Sequence, residues 1–301
     1  MNNVTSPSPA APVAGPATPP RRILVATDLS ARSDRAIARG ATLARDLGAK
    51  LTVAHIIDAD LPELARAAAI RTANACLEAS PTSDQAELVI REGEDYRDIL
   101  AAADALGADL LVLGRHRNED GTKPLGGTTL DRVVRFATIP VLLAADPVVD
   151  GYSKVLAGID LSIGSLTALQ VAKGLAPGAE VHAMHAYDVP FAGFQTGAAA
   201  LTQEHDSHAD ALKALLSNEI DHERIVTHLV KGDPVRILRD GVKELAPDLI
   251  AIGTNARTGL ARAIVGSLAE NLLSAPPSDV LVVNPGARVA PAKGAVVTKP
   301  A

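Results

Sequence analysis

Short apolar segments alternate along the chain with longer segments in which apolar residues recur at helical spacing. In the first half the apolar segments predict five strands, near 22–27, 50–57, 86–91, 108–113 and 140–145. The helical segments between them lie near 32–47, 61–79, 95–106 and 128–137. Gly48 and Gly107 follow two of these segments, as expected of residues that end a helix before a strand begins.

The second half shows the same alternation. Its strands are predicted near 153–159, 179–186, 224–230, 248–252 and 279–283. Its helices are predicted near 163–175, 198–218, 234–245 and 266–274, the third with Asp233 as N-cap before Pro234. Strands alternating with helices through right-handed crossovers predict a doubly wound parallel sheet in each half, an α/β fold.

The two halves are copies of each other in sequence. Ile23–Ser30 (ILVATDLS) returns as Val155–Ser162 (VLAGIDLS). Asp109–Gly114 (DLLVLG) returns as Asp248–Gly253 (DLIAIG), and the separations are all about 130 to 140 positions. These strands are almost wholly apolar, which is typical of strands covered by helices on both faces. A nearly constant offset predicts a duplicated domain with small changes in the loops.

Proline-rich segments flank the duplicated region. Six of the first twenty residues are proline, and the chain beyond 286 has a similar composition. Such segments bury little apolar area and favour extended backbone. We therefore expect a disordered tail over 1–20, a first domain over 21–147, a second domain over 151–286 and a disordered tail over 287–301.

Composition narrows the class of protein. The 301 residues are 47% hydrophobic but only 2% aromatic, with 29 basic and 35 acidic residues and a net charge of −6. Without a positive excess, nucleic acid is not an expected partner. Cys76 is the single cysteine, so no internal disulfide can form, and no Cys/His zinc spacing occurs. No apolar run reaches about 18 residues, so we expect no membrane association and a cytoplasmic protein.

Candidate chemistry lies at equivalent strand ends of the two halves. Asp28 and Asp160 follow strand one. After strand four the second half reads GTNA over 253–256, then nine residues, then Gly266-Ser267. The first half reads GRHR over 114–117, then nine residues, then Gly127-Thr128. In doubly wound sheets ligands bind beyond the carboxyl ends of the strands, where the strand order reverses.

These residue types suit a nucleotide. Gly266-Ser267 and Gly127-Thr128 are predicted to begin the fourth helix of their halves, where unpaired backbone N–H groups and the helix dipole favour phosphate. A glycine there lets phosphate approach the backbone closely. The carboxylates of Asp28 and Asp160 can accept hydrogen bonds from ribose hydroxyls.

Together these residues resemble the nucleotide-binding members of the universal stress protein family. Such members carry Gly-x2-Gly-x9-Gly-Ser/Thr after strand four and an Asp after strand one. The resemblance covers roughly residues 21–146 and 152–285. It implies two tandem doubly wound five-stranded parallel sheets with strand order 3-2-1-4-5. It also places adenine against the residue after the strand-two histidine, Ile56 in the first half and Ala186 in the second.

The residues predicted to bind nucleotide form two equivalent sets. In the second half they are Asp160, Ala186, Gly253, Ala256, Gly266, Ser267 and Leu268, and in the first half Asp28, Ile56, Gly114, Arg117, Gly127, Thr128 and Thr129. The second glycine of the motif is replaced by Ala256 and by Arg117. Alanine costs little unless a positive φ is required, whereas arginine can either crowd phosphates or donate to them. The second half is therefore expected to be the better site.

Structural roles compete with each functional one. The glycines can simply serve the strand-to-helix turn. Asp28 and Asp160 each precede a serine by two positions, a pattern that also suits a turn leading into a helix. His205 and His208 share a helix face that is expected to be solvated rather than to hold a metal. Cys76 is expected to be a small buried apolar residue.

The resulting hypothesis is an ATP-binding stress-response regulator, with Mg²⁺, that acts through nucleotide-dependent conformation or partner binding. No nucleophile–base constellation and no P-loop motif supports turnover. A nucleotide-free dimerisation module and a weak ATPase stay open as alternatives. The apolar fifth strands, Val141–Leu143 and Val280–Val283, predict pairing through those edges, either in a homodimer or between the two halves of one chain.

Overall fold

The structure, a computed structural model, describes residues 19–30, 33–78, 83–93, 96–115, 127–187, 198–217, 224–254 and 266–289. Ala256, Arg117 and most of both predicted tails lie outside these ranges. Of the second tail, Ala287–Val289 is described, and the backbone N–H of Arg288 donates to the Thr138 carbonyl at 2.7 Å.

The first half contains five strands and four helices in alternation, as the sequence predicts. In chain order they are β1 (Arg22–Thr27), α1 (Asp34–Leu47), β2 (Lys50–Ile57), α2 (Glu63–Glu78), a 3-10 turn (Ser83–Gln85), β3 (Ala86–Glu92), α3 (Tyr96–Leu106), β4 (Leu110–Gly114), α4 (Thr129–Phe136) and β5 (Val141–Ala144). Gly48 ends α1 in the left-handed conformation at φ 65°, which glycine adopts without strain.

The second half repeats this order. Its elements are β6 (Lys154–Ile159), α5 (Ile163–Leu175), β7 (Glu180–Tyr187), α6 (Ala198–Leu216), β8 (Ile225–Lys231), α7 (Pro234–Leu245), β9 (Leu249–Gly253), α8 (Ser267–Ser274) and β10 (Asp279–Val283). Asp233 caps α7 as predicted: its side chain accepts from the Arg236 N–H at 2.8 Å, and Pro234 occupies the first turn.

The strand order within each half is 3-2-1-4-5, as predicted, and the two five-stranded sheets are joined edge to edge. All ten strands form one sheet in the order β3-β2-β1-β4-β5-β10-β9-β6-β7-β8. Pairing is parallel within each half and antiparallel only where β5 meets β10, with Val280 opposite Leu143 and Val282 opposite Val141. The two apolar strand edges therefore cover each other within the chain, which is the second of the two pairings expected from sequence.

The joined sheet has one hydrophobic core on each face. On one face α1, α2, α5 and α6 pack against strand residues such as Val25, Val53 and Val155. On the other face α3, α4, α7 and α8 pack against residues such as Leu24 and Leu111. Each core runs continuously from the first half into the second because the sheet beneath it is continuous.

A buried charged cluster fastens the junction. The fully buried Asp279 carboxylate, at the start of β10, accepts from Arg39 Nε at 2.7 Å, from the Tyr152 hydroxyl at 2.7 Å and from the Ala145 N–H at 2.7 Å. Burial, reinforced by Asp279, raises the pKa of Tyr152, which keeps its hydroxyl protonated as a donor. One carboxylate thus ties α1, the end of β5 and the linker to the second half.

The position of the single cysteine differs from the one expected from sequence. Cys76 is exposed on α2, so the prediction that it is buried is wrong. Ala73 and Leu77 of the same helix are the residues that face the sheet. None of the described helices is long and apolar enough to cross a bilayer.

Candidate functional site

The residues predicted at the end of strand one lie at the carboxyl edge of the sheet, where the strand order reverses. Asp28 follows β1, which pairs with β4 so that Ala26 lies opposite Leu113. The equivalent pairing of β6 with β9 gives Asp160 the corresponding position in the second half. Connections leave neighbouring strands toward opposite faces at such a point, so a crevice can form between them.

A crevice of about 660 Å³ opens at this edge in the first half. Four residues predicted from sequence line it: Asp28, Ile56, Gly114 and Thr129. Polar and charged side chains line it as well, namely Ser33, His55, Asp58, Asp60 and Arg115. The structure therefore brings the predicted ribose-binding carboxylate, adenine contact and fourth-helix start of the first half to one cavity.

Asp28 is held in an ionised state by its own turn. Its Oδ1 accepts from the Ser30 N–H at 2.9 Å and from the hydroxyl of Ser33. Partial burial raises the pKa of this carboxyl, but the hydrogen bonds from Ser33 and Ser30 outweigh it and leave the pKa below the ordinary value. The turn role and a ligand role are compatible, because one carboxylate can accept several hydrogen bonds.

The strand-two histidines are structural. His55 Nδ1 lies 2.9 Å from the Thr27 carbonyl and His185 Nδ1 lies 2.8 Å from the Ile159 carbonyl. Each ring therefore ties strand two to the end of strand one, next to Asp28 or Asp160. Their role is to fix the spacing of the two strand ends on either side of the crevice.

The start of α4 is closed by its own side chains. Thr128 is the N-cap, and its Oγ1 accepts from the Asp131 N–H at 3.1 Å. Asp131 Oδ2 in turn accepts from the Gly127 N–H at 3.0 Å, while Oδ1 accepts from Arg135 Nε at 2.9 Å. The Asp131 side chain is only 4% exposed. The Asp131 carboxylate thus accepts a hydrogen bond from the Gly127 N–H, at the helix start where the sequence predicts a phosphate.

The start of α8 has no such closure among the described residues. Gly266 is its N-cap, and no described side chain caps this helix. Gly266 has an ordinary extended backbone (φ −62°, ψ 156°), and a Cβ placed on it would meet nothing within 4 Å in the described chain. Glu270 lies in the first turn, and its Oε1 is 3.5 Å from Nη2 of Arg135 in the first half. Neither backbone conformation nor packing among the described residues therefore requires a glycine at 266.

Gly253 has a packing role instead. A Cβ on it would lie 2.4 Å from the Gly164 carbonyl carbon and 2.4 Å from the Ser165 nitrogen, so only glycine fits beneath the start of α5. Ser162 caps that helix by accepting from the Ser165 N–H at 3.2 Å, and Asp160 Oδ1 accepts from the Ser162 N–H at 3.0 Å. The structural role that the sequence left open for these residues is therefore present in the second half.

Histidine contacts join α6 to β7 in the second half. His185 Nε2 lies 2.9 Å from His208 Nδ1, and the Tyr187 hydroxyl lies 3.0 Å from His205 Nδ1. Burial lowers the pKa of His185, and the neighbouring His208 lowers it further. The expectation of a wholly solvated face is wrong for His208, which turns toward the sheet. No metal-holding group of His, Cys, Asp or Glu occurs among the described residues.

The other predicted residues of the second half are distributed along the same edge. Ala186 lies in β7 and Ser267 opens α8. The side chains of Ala186 and Leu268 pack against the core beneath, so what these positions offer a ligand is backbone. Ala256 lies outside the described residues, as does Arg117 in the first half.

Sequence reasoning missed the residues that distinguish the two fourth helices. Asp131 follows Thr128 by three positions, which is the spacing of a capping box, but Glu270 follows Ser267 by the same spacing, so this pattern could not have told α4 from α8. The contact between Arg135 and Glu270 joins positions that are far apart in sequence and meet only because β5 and β10 pair. No local pattern could have revealed it.

Comparison with known proteins gives the family. A model of the universal stress protein family matches residues 20–145 and again residues 151–284. The universal stress protein E homolog of Haemophilus influenzae is 26% identical over 199 residues, which is 58% of this chain and 62% of that protein. Universal stress protein MJ0531 of Methanocaldococcus jannaschii is 32% identical over 139 residues, 44% of this chain and 82% of that protein.

The solved structures match the fold over most of the chain. The crystal structure of a universal stress protein from Archaeoglobus fulgidus superposes with a TM-score of 0.63 at 19% identity, over 88% of this chain and 98% of that one. The chain spans less than two thirds of the length of the Haemophilus influenzae relative, 62%.

Proposed function

This chain belongs to the universal stress protein family, and from that premise we propose that it binds an adenine nucleotide, ATP with Mg²⁺, at the carboxyl edge of its second half. The phosphates lie against the start of α8, the ribose against Asp160 and the adenine against the backbone around Ala186. Mg²⁺ enters on the phosphate oxygens, since this ion is commonly held by one or two protein oxygens together with substrate phosphates.

The observation that carries this proposal is Gly266. Gly127 has φ 86° and Gly253 has no room for a Cβ, so both glycines have a structural reason to be glycine. Gly266 has neither reason, and it stands at a helix N-terminus that no side chain caps, within the part of the chain that the structure describes. A glycine of this kind fits the close approach of phosphate to backbone amides at the positive end of a helix.

The regulatory part of the proposal rests on a link between the halves. Thr254, directly after Gly253, donates through Oγ1 to Asn284 Oδ1 at 2.7 Å. Asn284 Nδ2 donates to the carbonyls of Val134 and Ala137 at the end of α4, at 2.7 and 2.9 Å. A ligand that shifts the segment after β9 therefore acts on the first half through one side chain, without turnover.

Equilibrium dialysis with labelled ATP tests the binding. We expect the wild type to retain ATP at millimolar nucleotide and Gly266→Val to lose it, because the new side chain occupies the approach to the α8 amides. Gly178→Val is the matched control, since a Cβ at Gly178 also meets nothing within 4 Å. Retention by Gly266→Val equal to that of the control would reject the proposed site.

Two further measurements separate the alternatives. If the wild type retains no ATP, the chain is instead the nucleotide-free dimerisation module. A single-turnover assay that detects ADP from the wild type, and none from Asp160→Ala, would instead identify a weak ATPase. Light scattering is expected to give a monomer, because β5 and β10 already pair within the chain.

A further inference from the structure

We propose that His208 of α6 is a positioning residue for the second half: through the ring of His185 it holds the end of β6, next to Asp160, and it protects that contact against acid. The Ile159 carbonyl and the two rings form a chain of hydrogen bonds that accepts one added proton but not two. This role rests on the proposed function, because Asp160 is taken as the ribose ligand.

The direction of the chain is set by a backbone carbonyl. His185 Nδ1 lies 2.8 Å from the Ile159 carbonyl oxygen, which can only accept a hydrogen bond, so Nδ1 carries the ring proton. In a neutral imidazole the other nitrogen is then bare, and His185 Nε2 must be an acceptor. It lies 2.9 Å from His208 Nδ1, which is therefore the donor. Both neutral rings are thus fixed in the Nδ1–H tautomer.

The chain ends next to the proposed ribose carboxylate. Ile159 is the last residue of β6, and Asp160 follows it directly. The ring of His185 is buried, with 4% of the residue exposed, so its bond to Ile159 is shielded from solvent. The bond from His208 holds this ring from the side of α6. If that bond is lost, the ring can turn, and the strand end before Asp160 loses its anchor.

One proton can be added to the chain without breaking a bond. The bare nitrogen on the outer side is His208 Nε2, and the His208 side chain is 27% exposed. Glu204, one helical turn earlier, places Oε1 3.9 Å from this nitrogen, so the carboxylate can pair with the added charge. The His208 Nδ1–H stays on His185 and becomes a charge-assisted donor, which is stronger than a neutral one. A first proton on His208 therefore strengthens the contact.

A second proton breaks the chain. It must bind His185 Nε2, where it faces the Nδ1–H of His208 across 2.9 Å, so that two donors meet without an acceptor. The ring centroids are 5.1 Å apart, and two imidazolium charges at this separation repel each other. Burial lowers the pKa of His185, and His208 lowers it further, in agreement with this order. His208 thus takes the first proton and keeps the second away from His185.

The other charged groups near His185 do not replace His208 in this role. Asp160 favours the charged form of the ring, but burial outweighs it and the pKa stays lowered. The titratable groups on the elements packed around it are Tyr187 of β7, His205 of α6, Lys231 of β8 and Lys173 in the last turn of α5. Among the residues that the structure describes, the ring of His185 hydrogen-bonds to Ile159 and His208 alone.

The first half contains the inner bond without the outer one. His55 Nδ1 lies 2.9 Å from the carbonyl of Thr27, the residue before Asp28, in the same arrangement as His185 and Ile159. The helix that follows, α2, contains no histidine. No ring of α2 can therefore take a proton in place of His55, so the protection is expected in the second half alone.

Nitrogen-15 NMR of the histidine rings tests the chain without nucleotide. At about pH 7.5, above the ordinary histidine pKa, we expect both His185 and His208 to carry their proton on Nδ1. On acidification His208 should gain its second proton before His185 does. His208→Asn keeps an N–H donor at the position of Nδ1 but takes no charge, so His185 should then titrate at least about half a pH unit higher. His205→Asn should leave the His185 titration unchanged.

Equilibrium dialysis with labelled ATP tests the effect on the site. At about pH 7.5, His208→Ala lacks the donor and should bind ATP about three- to tenfold more weakly, whereas His208→Asn should stay within about twofold of wild type. On acidification His208→Asn should lose ATP at a higher pH than wild type does. His205→Asn is the matched control, because its ring contacts Tyr187 and not His185, and it should follow wild type. Protonation of the nucleotide itself affects all variants alike.

The proposal is overturned by any one of four results: an Nε2–H on either neutral ring, an unchanged His185 titration in His208→Asn, equal ATP affinity of His208→Ala and wild type, or the same pH profile for His208→Asn and wild type. A retained unfolding transition in each variant shows that weaker binding is not loss of the fold. Failure of the proposed function looks different: the wild type then retains no ATP at any pH, while the rings still show the expected tautomers.

Discussion

The fourth helices of the two halves begin within one aligned position of each other in the same fold, but the hydrogen bonds at their starts differ. In the first half Thr128 and Asp131 close the start of α4 and place a carboxylate on the Gly127 amide. In the second half none of the described side chains caps the start of α8, and Glu270 lies next to Arg135 of the other half. Duplication has preserved the strands and helices, whereas the contacts made by a few side chains at the helix start differ between the halves.

The asymmetry extends to the junction. Asp279 begins β10, and the corresponding position before β5 is Pro140, so only the second half contributes a buried carboxylate. The pairing of β5 with β10 thus resembles a symmetric dimer in its backbone but not in its side chains.

Removal of the junction carboxylate should have the largest effect. Asp279→Ala leaves Arg39 buried without its ion pair and the Tyr152 hydroxyl without its acceptor. Loss of one partner of a buried pair typically costs about 3–5 kcal/mol of the free energy of unfolding. Urea denaturation measures it, with Asp240→Ala on the surface of α7 as the control.

That control carboxylate forms exposed pairs with Arg236 and Lys243, so its loss should cost less than about 1 kcal/mol. Equal destabilisation by the two substitutions would mean that the junction is not held by Asp279.

The two glycines of the second half should respond differently to alanine. Gly253→Ala forces a Cβ against the backbone of Gly164 and Ser165, which cannot give way as a side chain does, and should cost about 1–3 kcal/mol. Gly266→Ala should cost less than about 1 kcal/mol, since its Cβ enters open space. Thermal unfolding compares the two. Similar losses would contradict the distinction between a packing glycine and a ligand glycine.

A fall in pH should destabilise the second half of the fold. Burial lowers the pKa of His185 and of His228 below the ordinary 6.5, so the folded chain binds fewer protons there than the unfolded chain does. Their contribution to stability is complete above about pH 6.5 and is lost as the pH falls through the lowered pKa values. Asp28, whose pKa is also lowered, loses its contribution only in much stronger acid.

Hydrogen exchange between about pH 7 and pH 5 measures this effect. After correction for the intrinsic rate, β7, β8 and α6 should lose protection before β2 and β3 do. His228→Gln should reduce the difference. Simultaneous loss in both halves would show that the histidine contacts do not set the acid response.

The contact between the halves at Arg135 should have the smallest effect. Arg135→Gln removes the charge that lies beside Glu270, which then stays closer to its own helix start and competes with phosphate there. A charge at a helix end is worth about 0.3–1 kcal/mol, so ATP affinity should fall by about two- to fivefold. Dialysis against labelled ATP measures this, with Arg236→Gln as the control. An unchanged affinity for ATP would mean that Arg135 acts only on Asp131 in the first half and not on the start of α8.

The fold could be predicted from the sequence because the hydrophobic patterns that specify its strands and helices are local. Apolar segments such as Leu110–Gly114 and Leu249–Gly253 predict buried parallel strands without any tertiary information. The joining of the two sheets could not be predicted from local patterns. An apolar β5 edge can pair with a strand of another molecule as well as with β10 of the same chain.

The sequence predicted where the residues of the candidate site lie better than it predicted what each of them does. Strand-end residues such as Asp28 and Gly114 do line one crevice, as the predicted strand order requires. Sequence alone could not tell that Gly253 is required by packing and Gly127 by its positive φ, because both depend on what approaches the backbone. The spacing of Asp131 from Thr128 is a capping pattern, but Glu270 has the same spacing from Ser267, so the closure of α4 alone could not be predicted from it.

Hydrogen exchange with and without saturating ATP, resolved to short peptides, measures the protection of the helix-start amides themselves. If the start of α8 holds the phosphates, exchange over 266–270 becomes slower on addition of ATP and exchange over 127–131 does not change. Protection over 127–131, or over neither segment while ATP is bound, would contradict it.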